Sequence, residues 1–312
     1  MTNESYVAII GGLNMDIAGI SGPMYRERDS NIGHIYLSPG GVGRNIAHNL
    51  VQLEVPTYLV TAYGDDDFGL LVEKSCRELN ISLDYAEKLE DEHTSTYLYV
   101  TDSDGDMITG VNDMDIVKCI TPDFLADRLD FLNQAKICVI DANISRETIE
   151  WIVDHVEAPL YVEPVSVAKA ARFEAVLDRI DTIKPNQYEA ELYTGIKILD
   201  EKTARQAAEK LIELGVNNAF ISLGAKGMVC ANSEETHYVP VLESDVISAN
   251  GAGDCAMATI VWANYHYGHE LDIKEVTQLA QAAANLATST MHSVYEDLSI
   301  SAVVKRAQDY KQ

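Results

Sequence analysis

The strongest constraint on the fold is an alternation. Apolar runs of strand length take turns with stretches of helical periodicity through most of the chain. Tyr6-Val7-Ala8-Ile9-Ile10 reads as a buried first strand and ends in Gly11-Gly12. Residues 57–61, 137–140, 159–162 and 218–222 read the same way. Helical patterns lie between such runs at 44–53, 68–79, 146–155 and 202–214. Strands separated by helices require right-handed crossovers and give a mostly parallel sheet covered on both faces. The expected class is α/β, a three-layer α/β/α sandwich.

Two stretches break this rhythm. Residues 33–38 and 94–100 are β-like, with no helix directly after them. The second leads through Asp104-Gly105, a turn signal, into Met107-Ile108-Thr109-Gly110-Val111. These stretches predict a small antiparallel sheet, a lid drawn from about residues 13–38 and 93–112. The 312 residues, 47% of them hydrophobic, suffice for one large α/β domain or two smaller ones. No repeat, low-complexity tract or flexible linker marks a second unit, so residues 1–312 are read as a single domain.

Charge narrows the partners. With 23 Lys+Arg against 49 Asp+Glu the formal charge is −26, which argues against nucleic-acid or anionic-membrane surfaces. A small anionic substrate in a locally positive pocket is not excluded. Five scattered cysteines show no metal-ligand spacing and read as reduced, mostly buried thiols. Met1-Thr2-Asn3-Glu4-Ser5 lacks the basic start of a secretion signal, and no apolar run reaches membrane-span length. A soluble cytoplasmic protein is expected.

The segment Ser248-Ala249-Asn250-Gly251-Ala252-Gly253-Asp254 carries the chemistry. It places two glycines and an acid where a loop turns into a helix. A helix start offers unpaired N–H groups and a positive dipole end, which suit a phosphate. An acid there repels phosphate unless it faces a hydroxyl that will attack it, so the segment predicts phosphoryl transfer. Three other groups accompany it. Gly40-Gly41-Val42-Gly43-Arg44-Asn45 enters a helix, either as a packed turn or as a sugar site in which Asn45 donates and accepts. Asn14-Met15-Asp16 follows the first strand, and Asp16 can accept from two adjacent hydroxyls. Lys184-Pro185-Asn186-Gln187-Tyr188-Glu189 makes a capping box on its own account, Asn186 with Glu189. A nucleotide and Mg²⁺ role for that pair is the alternative. Asp65, Asp66 and Asp67 read as a turn and helix cap rather than a metal site.

In their order these segments resemble the ribokinase-like (PfkB) family of carbohydrate and nucleoside kinases, over nearly the whole chain. Gly64-Asp65-Asp66-Asp67-Phe68-Gly69 and Ser222-Leu223-Gly224-Ala225-Lys226-Gly227 are similar to two further motifs of that family. Within it the likeness is greatest to the branch that phosphorylates the nucleoside pseudouridine. It rests on residues 39–47, Val111-Asn112-Asp113-Met114, Glu163-Pro164-Val165-Ser166 and Asp297-Leu298-Ser299-Ile300. Another family kinase, for ribose, a hexose or a purine nucleoside, is the alternative.

The resemblance implies ATP as phosphoryl donor and Asp254 as general base. Gly251, Ala252 and Gly253 would form the anion hole. Asn14, Asp16, Gly40, Gly41 and Asn45 would hold the ribose, with Asn112 and Asp113 at the lid's end as further nucleoside contacts. Asn186, Ser222, Gly224, Gly227, Asn250, Gly251, Gly253 and Asn285 would serve the nucleotide, and Glu189 would hold Mg²⁺ through water. The helix start is expected to keep Asp254 ionised. Ser248-Ala249 replaces the family's usual Asp-Thr, which makes K⁺ activation doubtful, and Glu163 stands where Asp is usual. A homodimer through the lid is expected by analogy.

Overall fold

A computed structural model describes residues 5–311, so the reading of Met1–Glu4 lies outside the described residues. The strands, in chain order, begin with β1 (Val7–Ile10), β2 (Asn14–Ser21), β3 (Gly33–Gly40), β4 (Thr57–Val60), β5 (Ala62–Gly64), β6 (Glu87–Leu89) and β7 (Thr96–Thr101). They continue with β8 (Met107–Asp113), β9 (Ile137–Asp141), β10 (Leu160–Glu163), β11 (Thr182–Ile183), β12 (Asn218–Ser222), β13 (Met228–Ala231) and β14 (Thr236–Val239). The helices are α1 (Val42–Gln52), α2 (Asp67–Glu78), α3 (Pro122–Ala126), α4 (Leu129–Gln134), α5 (Arg146–His155) and α6 (Val167–Ala170). After these come α7 (Gln187–Thr194), α8 (Glu201–Glu213), α9 (Ala252–Tyr267), α10 (Ile273–Ala287) and α11 (Ile300–Ala307).

The central sheet has the order β14-β13-β12-β11-β10-β9-β1-β4. It is parallel from β4 to β12, and β13 and β14 add an antiparallel edge. Its strands bury both faces with a period of two. Val7, Ile9, Ile137 and Val139 enter one core, while Ala8, Ile10, Cys138 and Ile140 enter the other. That is why these runs are apolar throughout instead of alternating. Ile46, Val72, Ile260, Ala280 and Val303 bring α1, α2, α9, α10 and α11 onto the first face. Phe124, Leu132, Ile149, Ala170, Tyr193 and Leu211 bring α3 to α8 onto the second. The result is the three-layer α/β/α arrangement. Each fully buried Ile or Leu contributes about 1.5–3 kcal/mol relative to exposure.

α9 is buried almost all round from Cys255 to Ala263, wedged against α1 and α10. An apolar helix of this kind is a fixture of the core, so the acid in its first turn is rigidly carried. Among the described residues no helix is long and apolar enough to cross a membrane.

The lid is a four-stranded sheet, β3-β2-β7-β8. It corrects the expectation of an antiparallel sheet, because β2 and β7 pair in parallel. Both strands leave the core at the same end, where the Met15 N–H donates to the Ser95 carbonyl at 2.8 Å. Asn14-Met15-Asp16 therefore opens a lid strand. The Asp66 cap ties the root of β7 down, accepting from Gly69 N–H and from the Thr94 N–H and hydroxyl. Register sorts the lid's two faces. Ser38, Asp16, Tyr97 and Asn112 lie in one cross-strand row, and Leu37, Ile17, Leu98 and Val111 in the next, on the opposite face. The sheet is thus polar on one side, while Leu37, Leu98 and Val111 of the other side are exposed.

Candidate active site

The carboxyl ends of the central strands, the roots of the lid and the start of α9 meet at one place. Asp141 at the end of β9 is its buried hub. One of its oxygens accepts from the N–H groups of Gly12 (2.7 Å) and Gly43 (2.9 Å), and the other from Asn143 N–H (2.9 Å). One carboxylate thereby locks the turn after β1 onto the start of α1. Asp141 is raised above the usual carboxylate range by burial, against the hydrogen bonds from Gly12 and Asn143. It was not among the residues singled out in the sequence, although an acid closing a fully apolar strand is the signal that could have found it.

On the lid side, Asp16 Oδ1 accepts from the Asn14 amide at 2.6 Å. Gly40 crosses directly beside it, and a Cβ there would lie 2.2 Å from Asp16 Oδ2, so only glycine leaves room for the carboxylate. Gly41 caps α1 with φ 101, where a Cβ would strike the Gly12 carbonyl at 2.5 Å. Burial lifts Asp16 to about 6, against the Asn14 hydrogen bond and the nearby Arg44 guanidinium.

Asn45, in the first turn of α1, joins this group to α9: its amide donates to Asp254 Oδ2 at 3.0 Å. The sequence separates them by 209 positions. Asn14, Asp16, Gly40, Gly41, Asn45 and Asp254 are thus one cluster. Asn112 shares the lid face of Asp16, but Asp113, one residue on, falls on the opposite face with Val111. The strand's period of two divides this expected pair.

The α9 start is shaped for an anion. Gly251 has φ 76, and a Cβ on it would lie 1.7 Å from the Ser293 carbonyl, so the turn requires glycine. Ala252 N–H reaches the Ala249 carbonyl at 3.4 Å, and Cys255 N–H donates to Gly251 O. Among the described residues no acceptor takes the N–H of Gly253 or Asp254. One expectation is corrected here: the helix start does not hold Asp254 in the ordinary range. Burial pushes it up to about 7, against the Asn45 hydrogen bond and the Lys184 ammonium, and Asp141 and Asp16 add to the rise.

The nucleotide-side residues are largely engaged by the protein itself. Asn186 caps α7, its side-chain oxygen accepting from Tyr188 and Glu189 N–H, and its own N–H donates to Glu189 Oε2 at 2.7 Å. Asn186 and Ser222 are bridge partners across neighbouring strand ends, and Gly224 and Gly227 form the turn into β13. A cleft of about 220 Å³ opens beside that turn, lined by Leu223, Ala225, Lys226, Pro240 and Val241. A larger cleft of about 1010 Å³ sits at the far end of the sheet, by Ile137, Asp181 and Asn218, away from this chemistry. Asn250 donates to Ser293 Oγ at 3.0 Å.

Two expected roles are corrected. Asn285 is buried, and both ends of its amide are taken. Its nitrogen donates to Leu242 O and Ser244 Oγ, and its oxygen accepts from Arg306 Nε, so it ties a loop to α11. Glu189 is 1% exposed and its carboxylate closes the capping box. Among the described residues no three His, Cys, Asp or Glu side chains converge to hold a metal. The Glu189 carboxylate is engaged by the Asn186 N–H in that box.

The whole chain fits one class of enzyme. Residues 4–297 match the model of the pfkB family carbohydrate kinases. The chain belongs to that family. It is 34% identical to the pseudouridine kinase of Escherichia coli (strain K12), over 99% of this chain and 98% of that one. A carbohydrate kinase from Agrobacterium tumefaciens superposes with a TM-score of 0.84 at 25% identity, covering 97% of each chain. Arabidopsis thaliana ribokinase, solved with ribose and ATP, gives 0.84 at 22% identity, over 98% of this chain and 99% of that one. The protein is a kinase with the ribokinase-like fold.

Proposed function

We propose that this kinase transfers the γ-phosphoryl group of ATP to the 5′-hydroxyl of pseudouridine, with Asp254 as the base. The observation that carries the chemistry is the position of Asp254. One oxygen is fixed by Asn45 from the acceptor side, while the Gly253 and Asp254 N–H groups beside it lack acceptors among the described residues. The identity to the Escherichia coli enzyme over almost the full length of both chains supports the choice of nucleoside.

In this reading Asp16 and Asn14 orient the ribose hydroxyls, and Asn45 holds Asp254 toward the 5′-oxygen. That oxygen attacks the γ-phosphorus, its proton passes to Asp254, and the bond to the bridging oxygen breaks to release ADP. The transition state is loose, so positioning and charge stabilisation do most of the work. The free N–H groups of α9 face the charge on the transferred phosphoryl oxygens. The polar face of the lid closes over the nucleoside and excludes water as a competing acceptor. Mg²⁺ would arrive on the nucleotide's own phosphates, as hard oxygen donors favour.

The test is ADP release from Mg·ATP with pseudouridine, uridine, adenosine, ribose and fructose as acceptors. Pseudouridine is expected to give the highest kcat/KM. Equal or better turnover on uridine or ribose would remove the assignment of the nucleoside while leaving the phosphotransfer.

A further inference from the structure

Three adjacent parallel strands end in buried ionisable side chains: Asp141 at the end of β9, Glu163 at the end of β10 and Lys184 just beyond β11. Asp141 is occupied with the glycine turns. Glu163 and Lys184 pair with each other, Oε2 to Nζ at 2.8 Å, with side chains 9% and 3% exposed. Burying an ion pair costs several kcal/mol of lost solvation per charge, and an apolar pair would serve packing as well or better. The pair lies directly beneath the α9 start. A Cβ built on Gly253 would be 3.5 Å from Lys184 Nζ, so only a glycine backbone separates the ammonium from the anion-binding turn. Val165, two residues past Glu163, is β-branched yet sits at φ 68, a conformation that costs energy and fixes the turn.

We propose that Glu163 and Lys184 form a positioning device for the reaction, in which Glu163 anchors the Lys184 ammonium beneath Gly253 so that its charge faces Asp254 and the transferred phosphoryl group. This rests on the reading of Asp254 as base. The charged groups facing Asp254 are Asp16 from β2, Asp141 from β9, Glu163 from β10 and Lys184 from β11; Asn45 from α1 is its neutral partner. Arg44 of α1 faces Asp16, and Glu189 of α7 faces Lys184. Among the described residues, Lys184 is therefore the cation that acts directly on Asp254, beside the acids Asp16, Asp141 and Glu163. Lys184 is itself raised, despite burial, by Glu163, Glu189 and Asp254. Burial pushes the Glu163 carboxyl upward, with Lys184 opposing.

The two halves of the pair carry opposite charge, so removing each moves the titration of Asp254 in a different direction. The experiment is the pH profile of kcat/KM for Lys184→Met, Glu163→Gln, Lys184→Arg and the wild type, with folding checked by thermal melts. Lys184→Met is expected to move the acid limb up by about one pH unit, so that activity at pH 6, relative to its own plateau, falls roughly tenfold further. Glu163→Gln should move the limb down, and Lys184→Arg should leave it in place. Limbs that stay put, or that move the same way in Lys184→Met and Glu163→Gln, overturn the proposal.

Where either single variant fails to fold, the double variant Glu163→Gln/Lys184→Met removes both buried charges. It is expected to recover folding but to keep a kcat at least about tenfold below the wild type, with the acceptor KM little changed. Recovery of turnover along with folding would make the pair structural only. A wild type that phosphorylates none of the five acceptors sinks the proposed function. A working wild type with unmoved limbs sinks this inference alone.

Discussion

The acceptor end of the site and its nucleotide end are built in different ways. At the acceptor end ionisable and amide side chains are held by other protein groups, and each keeps some capacity for a ligand. Asp16 is fixed by Asn14, and Asp254 by Asn45. At the nucleotide end the polar side chains serve the fold. Asn186 and Glu189 close a capping box, and Asn285 ties a loop to α11. The direct donors left there for an anion, among the described residues, include the backbone N–H groups of Gly253 and Asp254. A site for hydroxyls needs side-chain acceptors, whereas a site for phosphate can be made from a helix start.

That contrast can be broken from either end. The largest effect is expected for Asp254→Asn: turnover should fall by about 10²–10⁴-fold, the range of general base catalysis, with nucleotide affinity retained in a binding titration. Turnover within tenfold of the wild type would take the base role from Asp254. Next, Asp16→Asn should raise the acceptor KM roughly tenfold or more, on the order of the 1.5–3 kcal/mol typical of a charged hydrogen bond, while the KM for ATP stays put. A change confined to ATP would invert the comparison. The smallest kinetic effect belongs to Asn285→Ala. Leaving Arg306 Nε and the Leu242 carbonyl without their partner should cost about 1–3 kcal/mol of stability, read as a lower Tm, with the ATP KM within twofold. A large rise in that KM with an unchanged Tm would return Asn285 to the nucleotide.

The fold was largely legible because strands buried on both faces are apolar throughout, and helices between them leave a different period. The lid was legible as β-structure but not as a mixed sheet. Parallel pairing of β2 with β7 follows from where the two strands leave the core, which no local pattern records. Within the site, Asp254 could be read from its glycines, since Gly251 can adopt the required backbone and a Cβ there would strike Ser293. Asp141 is marked only by closing a fully apolar strand, because its partners are N–H groups up to 129 positions away. Lys184 directly precedes a capping box, and its partner Glu163 lies on another strand, so no local pattern marks the pair. Asn285 shows the reverse error: an amide in a helix says nothing of what its two ends bind. The ionisation of Asp254 was misjudged for a related reason. A helix start favours the charged form, but burial beside Asp16 and Asp141 outweighs it.

The raised pKa of Asp254 sets the pH range in which the enzyme works. An acid that burial has raised to about 7 is protonated, and useless as a base, on the acid side of that value. The profile of kcat/KM against pH, which reports the free enzyme, should therefore rise about tenfold per pH unit through the acid range and level off above about pH 7. A profile flat from pH 5.5 to 9 would contradict the assignment of Asp254 as a base of raised pKa at the join of the two ends.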